Sequence, residues 1–208
     1  MIRIITIERE YGSGAAAIAA KLADRLGWKL WDQLLTEEIA RLAHCEQSAI
    51  EKQEERRDPL YYRLLKSFAL GSYEGNRGIP VEMLDADSIV KISEQVVERA
   101  ANAGNCVGRG SQHFLRDRKD TLRFFLYAST QEKVRRLISE GNSQAQAEAL
   151  AHTVDHERAA FIKEYFHAEW SNRSIYHAMF NTDTGEDAVI QVILNFLQQS
   201  QSTGVAAD

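Results

Sequence analysis

Residues 9–19 read REYGSGAAAIA, and they follow an apolar run, IRIITIE at 2–8. A β-branched stretch of that length, bounded by a glycine turn, is the pattern of a buried strand. From Ala15 to Leu26, strong helix formers place Ile18, Leu22 and Leu26 on one face, and Gly27 supplies the stop. The order is strand, tight turn, helix. Such a turn can cradle phosphate, because glycines let backbone N–H groups converge and the helix N-terminus adds the positive end of its dipole. Gly12, Ser13 and Gly14 meet that backbone requirement. Laid on G-x-x-x-x-G-K-[ST], Gly14 takes the second glycine, but Arg9 stands at the first, Ala15 at the lysine and Ala16 at the magnesium-binding hydroxyl. Glu8, Arg9 and Glu10 also bring three charges to the carboxyl end of the strand, which an ordinary tight turn does not require.

Moving outward, strands keep alternating with helices. WKLWD at 28–32 is a short second strand ending in Asp32, and an amphipathic helix follows from about Leu34 to Ala43. The charged block at 46–70 reads as two helices parted near Asp58-Pro59, and SYEGNRGIP at 72–80 as a mobile loop. Ile89, Ile92, Val96, Val97 and Ala100 form the stripe of a helix over 85–103. NCVGRGSQ at 105–112 is a brief buried strand opening into a second glycine-rich turn, and TLRFFLYA at 121–128 is an interior strand. Ser129 and Glu132 have capping-box spacing for the next helix. A charged amphipathic helix spans about 143–169, IYHAMFNT at 175–182 is the last strand candidate, and a helix over 186–198 precedes a disordered tail at 199–208. The alternation predicts a parallel sheet covered by helices on both faces, with right-handed crossovers. Ligands then sit at the carboxyl ends of the strands. The loops at 9–14 and 108–112 and the segment beyond Leu126 gather there.

The 208 residues are enough for one large α/β domain, and 44% hydrophobic with 26% charged residues is a globular profile. A net charge of −5 argues against a broad nucleic-acid or anionic-membrane footprint. The first apolar run is too short for a signal sequence and nothing resembles a membrane span, so the expectation is a cytoplasmic location. Cys45 and Cys106 are far apart and have no metal-ligand spacing. His152 and His156 lie one helical turn apart without a third ligand, so a solvated face is the expected reading and no metal ligand is assigned.

ITIEREYGSG, LADRLGWKLWD, GRGSQHFLRDR and TVDHERAAFIKEYFHAEW followed by IYHAMFNTDTG occur in this order over most of the chain. Together they resemble the cytidylate kinase-like family, relatives of CMP kinase among the P-loop nucleoside monophosphate kinases. The resemblance implies a three-layer α/β P-loop NTPase fold with a five-stranded parallel sheet. It also implies a helical acceptor-binding insertion at about 45–100 and a helical lid at about 143–170. The expected activity moves the γ-phosphate of ATP, with Mg²⁺, to a nucleoside monophosphate or another small acceptor. A catalytically impaired nucleotide-binding protein is the alternative. Gly12, Ser13, Gly14, Ala15 and Ala16 would line the donor phosphates, and Asp32 and Arg109 would place the acceptor. Arg158, with Lys163 as a second cation, would be the lid charge, and Arg9 would partly replace the missing lysine. From the residues alone, Asp32 suits a helix N-cap equally well, and Arg158 suits a surface pair with Asp155. Gly110 departs from CMP kinases, which carry an aspartate there. The sequence leaves a homo-oligomer open.

Overall fold

The computed structural model describes residues 1–31, 86–110 and 113–202. At its centre is β1 (Ile4–Arg9), buried at all six positions, as expected for a β-branched run flanked by strands on both sides. The other strands are β2 (Lys29–Trp31), β3 (Cys106–Arg109), β4 (Thr121–Tyr127) and β5 (Ala178–Asn181). They form a five-stranded sheet in the order β2-β3-β1-β4-β5, parallel at every pairing. The described helices are α1 (Ala15–Leu26), α2 (Ala86–Asn102), α3 (Thr130–Ser139), α4 (Gln144–Phe166) and α5 (Glu186–Ser202).

Strand residues alternate between sheet faces, and this sorts the layers. Ile5 and Ile7 of β1 join Ile18 and Leu22 of α1 and Ile190 and Ile193 of α5 in the main apolar core. On the other face Phe125 packs with Phe161 and Ile162 of α4 and Trp170, and Val90 of α2 rests against this cluster. The result is the three-layer α/β P-loop fold. β3 and β4 flank β1 on opposite sides, so the chain changes direction across the sheet there and leaves a crevice at the strands' carboxyl ends.

Some local expectations shift. Ser129 caps α3 by accepting from the Glu132 backbone N–H at 3.3 Å, but the reciprocal half of the box does not form. Asp183 accepts from the Ser129 N–H at 3.1 Å instead, and Glu132 binds Arg135 and Arg136. A complete capping box lies one helix later, between Ser143 and Gln146. The tail expected from residue 199 continues α5 to Ser202, with the Ser200 and Ser202 hydroxyls donating to carbonyls one turn back. Asp32, Cys45, the helices over 34–43 and 46–70 and the loop at 72–80 lie outside the described residues. Cys106 is a free, buried thiol that desolvation pushes up to about 11. Among the described residues no helix is long and apolar enough to cross a membrane.

Candidate functional site

The turn between β1 and α1 has the backbone shape that the sequence requires. Gly12 and Gly14 both have φ of +75°, a left-handed conformation that side-chain-bearing residues rarely adopt. A Cβ at Gly12 would also be crowded, 3.2 Å from the Lys133 carbonyl oxygen. Gly14 is the N-cap of α1 and provides no side-chain cap, and the first turn of α1 contains no acidic residue. The first amides of that helix therefore have no intrahelical acceptor and no side-chain cap, at the carboxyl end of the central strand. Ser13 is 1% exposed and its Oγ has no hydrogen-bond partner.

Ala15 does not face this turn. It is 3% exposed within the main apolar core, and Ala16 is half-buried. The cations come from elsewhere. Arg9, Arg109 and Arg158 end β1, end β3 and lie in α4 respectively, and all three are buried. Arg9 and Arg158 line one small cavity with Glu8, His113, Ile162 and Phe166. Arg158 Nη1 donates to the Arg9 carbonyl at 2.7 Å and lies 3.5 Å from Asp155 Oδ1, and its guanidinium sits 5.4 Å over the Trp170 ring. The surface pair open to Arg158 in the sequence is thus a buried one. Lys163 is not brought to this cluster. It is exposed, about 140° around the axis of α4 from Arg158.

The helix after β4 adds two residues that the sequence did not single out. Lys133 is buried, with Nζ donating to Asp155 Oδ2 at 2.8 Å and to Glu10 Oε2 at 3.2 Å. Burial pulls its ammonium down, but the hydrogen bond and charge of Asp155, joined by Glu10, outweigh that and hold it above the ordinary lysine value. Asp155 Oδ1 meanwhile accepts from the Tyr11 N–H at 2.7 Å, so one carboxylate ties α4 to α3 and to the glycine turn. Arg136 donates to the Gly12 carbonyl at 3.4 Å and to Thr182 Oγ1 at 2.9 Å, while the Thr182 hydroxyl donates to the Ser13 carbonyl at 2.7 Å. A signal for Lys133 was present, because α3 starts at a strand's carboxyl end and side chains early in a helix lean back toward the N-terminus, here toward the crevice. Arg136 is in the last turn of α3 and had no such signal.

His113 stacks on Phe166 at 5.0 Å between ring centroids. Desolvation lowers its pKa despite the nearby Glu8 charge. His152 and His156 are exposed on α4, and among the described residues no group of three metal-ligating side chains forms.

The profile of the cytidylate kinase-like family matches residues 4–184. A search of curated proteins gave no significant match. Among solved structures, an uncharacterized protein from Eubacterium ventriosum is 18% identical with a TM-score of 0.67, covering 95% of this chain and 99% of that one. Shikimate kinase from Bacteroides thetaiotaomicron is 13% identical with a TM-score of 0.52, covering 94% and 98%. Shikimate kinase from Acinetobacter baumannii, in complex with shikimate, is 14% identical with a TM-score of 0.52, covering 96% and 95%. At these identities the likeness is one of fold.

Proposed function

The chain belongs to the cytidylate kinase-like family, and from that premise we propose that it is a kinase-type phosphotransferase using ATP and a small acceptor. The observation that carries this reading is the glycine turn, with two left-handed glycines at the end of the central strand opening onto a helix N-terminus without a side-chain cap. The unpartnered Ser13 hydroxyl fits a phosphate oxygen at the same place. Mg²⁺ fits less well. Ala16 offers no hydroxyl and the described residues supply no cluster of ligands, so the ion would travel with the nucleotide phosphates and water. No step below depends on it.

ATP supplies the phosphoryl group when bound. The amides of Gly12 and Gly14 and the dipole of α1 would hold the donor phosphates, joined by the Ser13 amide once it leaves the Glu10 carbonyl to which it donates at 3.3 Å. Arg158 and Arg9, buried at the mouth of the turn, offset the charge that spreads over the transferring group. Arg109 places the acceptor from the end of β3, and Asp32 remains its expected partner. α4 covers the crevice and excludes water, which limits hydrolysis. The cavity is about 10 Å³, room for one water. A substrate larger than water therefore requires this cavity to widen.

A nucleotide-binding protein without transfer activity is favoured by two observations. Ala15 is built into the apolar core, and Lys133 beside the turn is already held by two carboxylates. A coupled ADP-release assay over nucleoside monophosphates and small hydroxylated metabolites, with calorimetry of ATP binding, separates the two readings. Acceptor-dependent ADP release supports the kinase. ATP binding with no turnover supports the alternative, and no heat with any nucleotide defeats both.

A further inference from the structure

Glu8 has no part in the phosphate cradle, yet it is among the most deeply buried charged side chains, at 2% exposure. It pairs in register with Phe125, and paired residues on neighbouring strands share a face, so its carboxylate lies on the α4 side of the sheet. There it lines the cavity with Arg158 and His113. Its Oε1 accepts from the Arg9 N–H at 3.3 Å and lies 3.8 Å from Arg9 Nη1. Burying a carboxylate with so few partners is costly, and such a group at the mouth of a phosphate loop calls for a chemical reason. Across the cavity, Arg158 Nη2 is buried with no hydrogen-bond partner.

From this pairing we infer that the phosphoryl acceptor is a small alcohol carrying an anionic group, with Glu8 as the base for its hydroxyl and Arg158 Nη2 as the donor to its anion. This rests on the kinase reading above and narrows its substrate class. A nucleoside monophosphate attacks with an oxygen that is already ionised. It needs no base, and a buried carboxylate beside it repels it. An alcohol must lose its proton. As the hydroxyl oxygen bonds to the γ-phosphorus of the nucleoside triphosphate, its proton passes to the Glu8 carboxylate. The bond from that phosphorus to the β–γ bridging oxygen breaks, and the electron pair leaves on the nucleoside diphosphate.

The test compares wild type with Glu8→Gln, which keeps size and removes charge, after thermal unfolding has checked the fold. Glu8→Ser repeats it if the glutamine variant does not fold. Calorimetry with CMP should show at least about tenfold tighter binding in the variant, with ATP affinity within about threefold of wild type. ADP release with small hydroxy acids such as glycerate and shikimate should fall about 10²-fold or more, with KM for ATP unchanged. Unchanged CMP affinity, or CMP turnover at similar rates in both proteins, would overturn the inference while leaving the kinase reading intact. Absence of ATP binding in wild type would defeat that reading and this inference with it.

Discussion

Replacing Asp155 with Asn keeps the side-chain shape and the oxygen that accepts from Tyr11, and removes the charge that Lys133 and Arg158 both face. Breaking a buried ion pair from one side costs about 3–5 kcal/mol. Lys133 retains Glu10 at 3.2 Å, and Asp155 keeps 14% of its side chain exposed, which moves the expectation down to about 2–3 kcal/mol. For a chain of this size each kcal/mol is about 2–4 °C in Tm, so differential scanning calorimetry should show a fall of about 4–12 °C. Because Lys133 is held above the ordinary lysine value, its contribution is fully present below about pH 10.4 and is lost only as pH rises through the raised value. The fall should therefore be the same at pH 7 and pH 8.5. A double-mutant cycle with Lys133→Met should give a coupling of at least about 1 kcal/mol. As a contrast, Lys21→Met breaks the exposed pair with Glu186 and should leave Tm unchanged. If Asp155→Asn lowers Tm by less than about 2 °C, or the cycle is additive, the network does not bind α4 to the turn.

Gly12→Ala combines a left-handed φ with a Cβ 3.2 Å from the Lys133 backbone oxygen, so it should cost about 1–3 kcal/mol and abolish ATP heat in calorimetry. Intact ATP binding in a folded variant would remove the turn from the site. Thr182→Val removes the hydroxyl that donates to the Ser13 carbonyl and accepts from Arg136, with an expected loss of about 1–3 kcal/mol in urea unfolding. A loss below about 0.5 kcal/mol would show that the pair does not pin the turn. Desolvation lowers the pKa of both His113 and His177, so the unfolded chain binds protons more readily than the folded one. Their contribution is present above about pH 6.5 and is lost as pH falls, with a slope of at most about 1.4 kcal/mol per pH unit for each. His113→Phe should flatten part of that slope in denaturant titrations from pH 8 to 5, and an unchanged slope would place His113 in solvent.

What the sequence determined by itself is the backbone half of the site. The β-branched run, the two glycines and the alanine-rich helix specify strand, turn and helix through interactions between near neighbours, and β1 and α1 form where those residues place them. The alternation of strands and helices likewise anticipated a parallel sheet with three polar loops at one end. The tertiary structure decided where the charge comes from. Lys133, Arg136 and Asp155 were given no role in the site by the sequence, and Arg158, the lid charge that the resemblance implies, suited a surface pair equally well. Their burial depends on contacts such as Lys133 to Glu10, 123 positions apart, and Asp155 to Tyr11, 144 apart. Lys163 shows the converse, because five residues along the same helix turn a cation from the crevice to solvent. Backbone conformation is set by neighbouring residues and is therefore written in the sequence. Which charges lose their water is set by the packing of distant segments, and here that packing supplies cations around a turn that lacks its lysine.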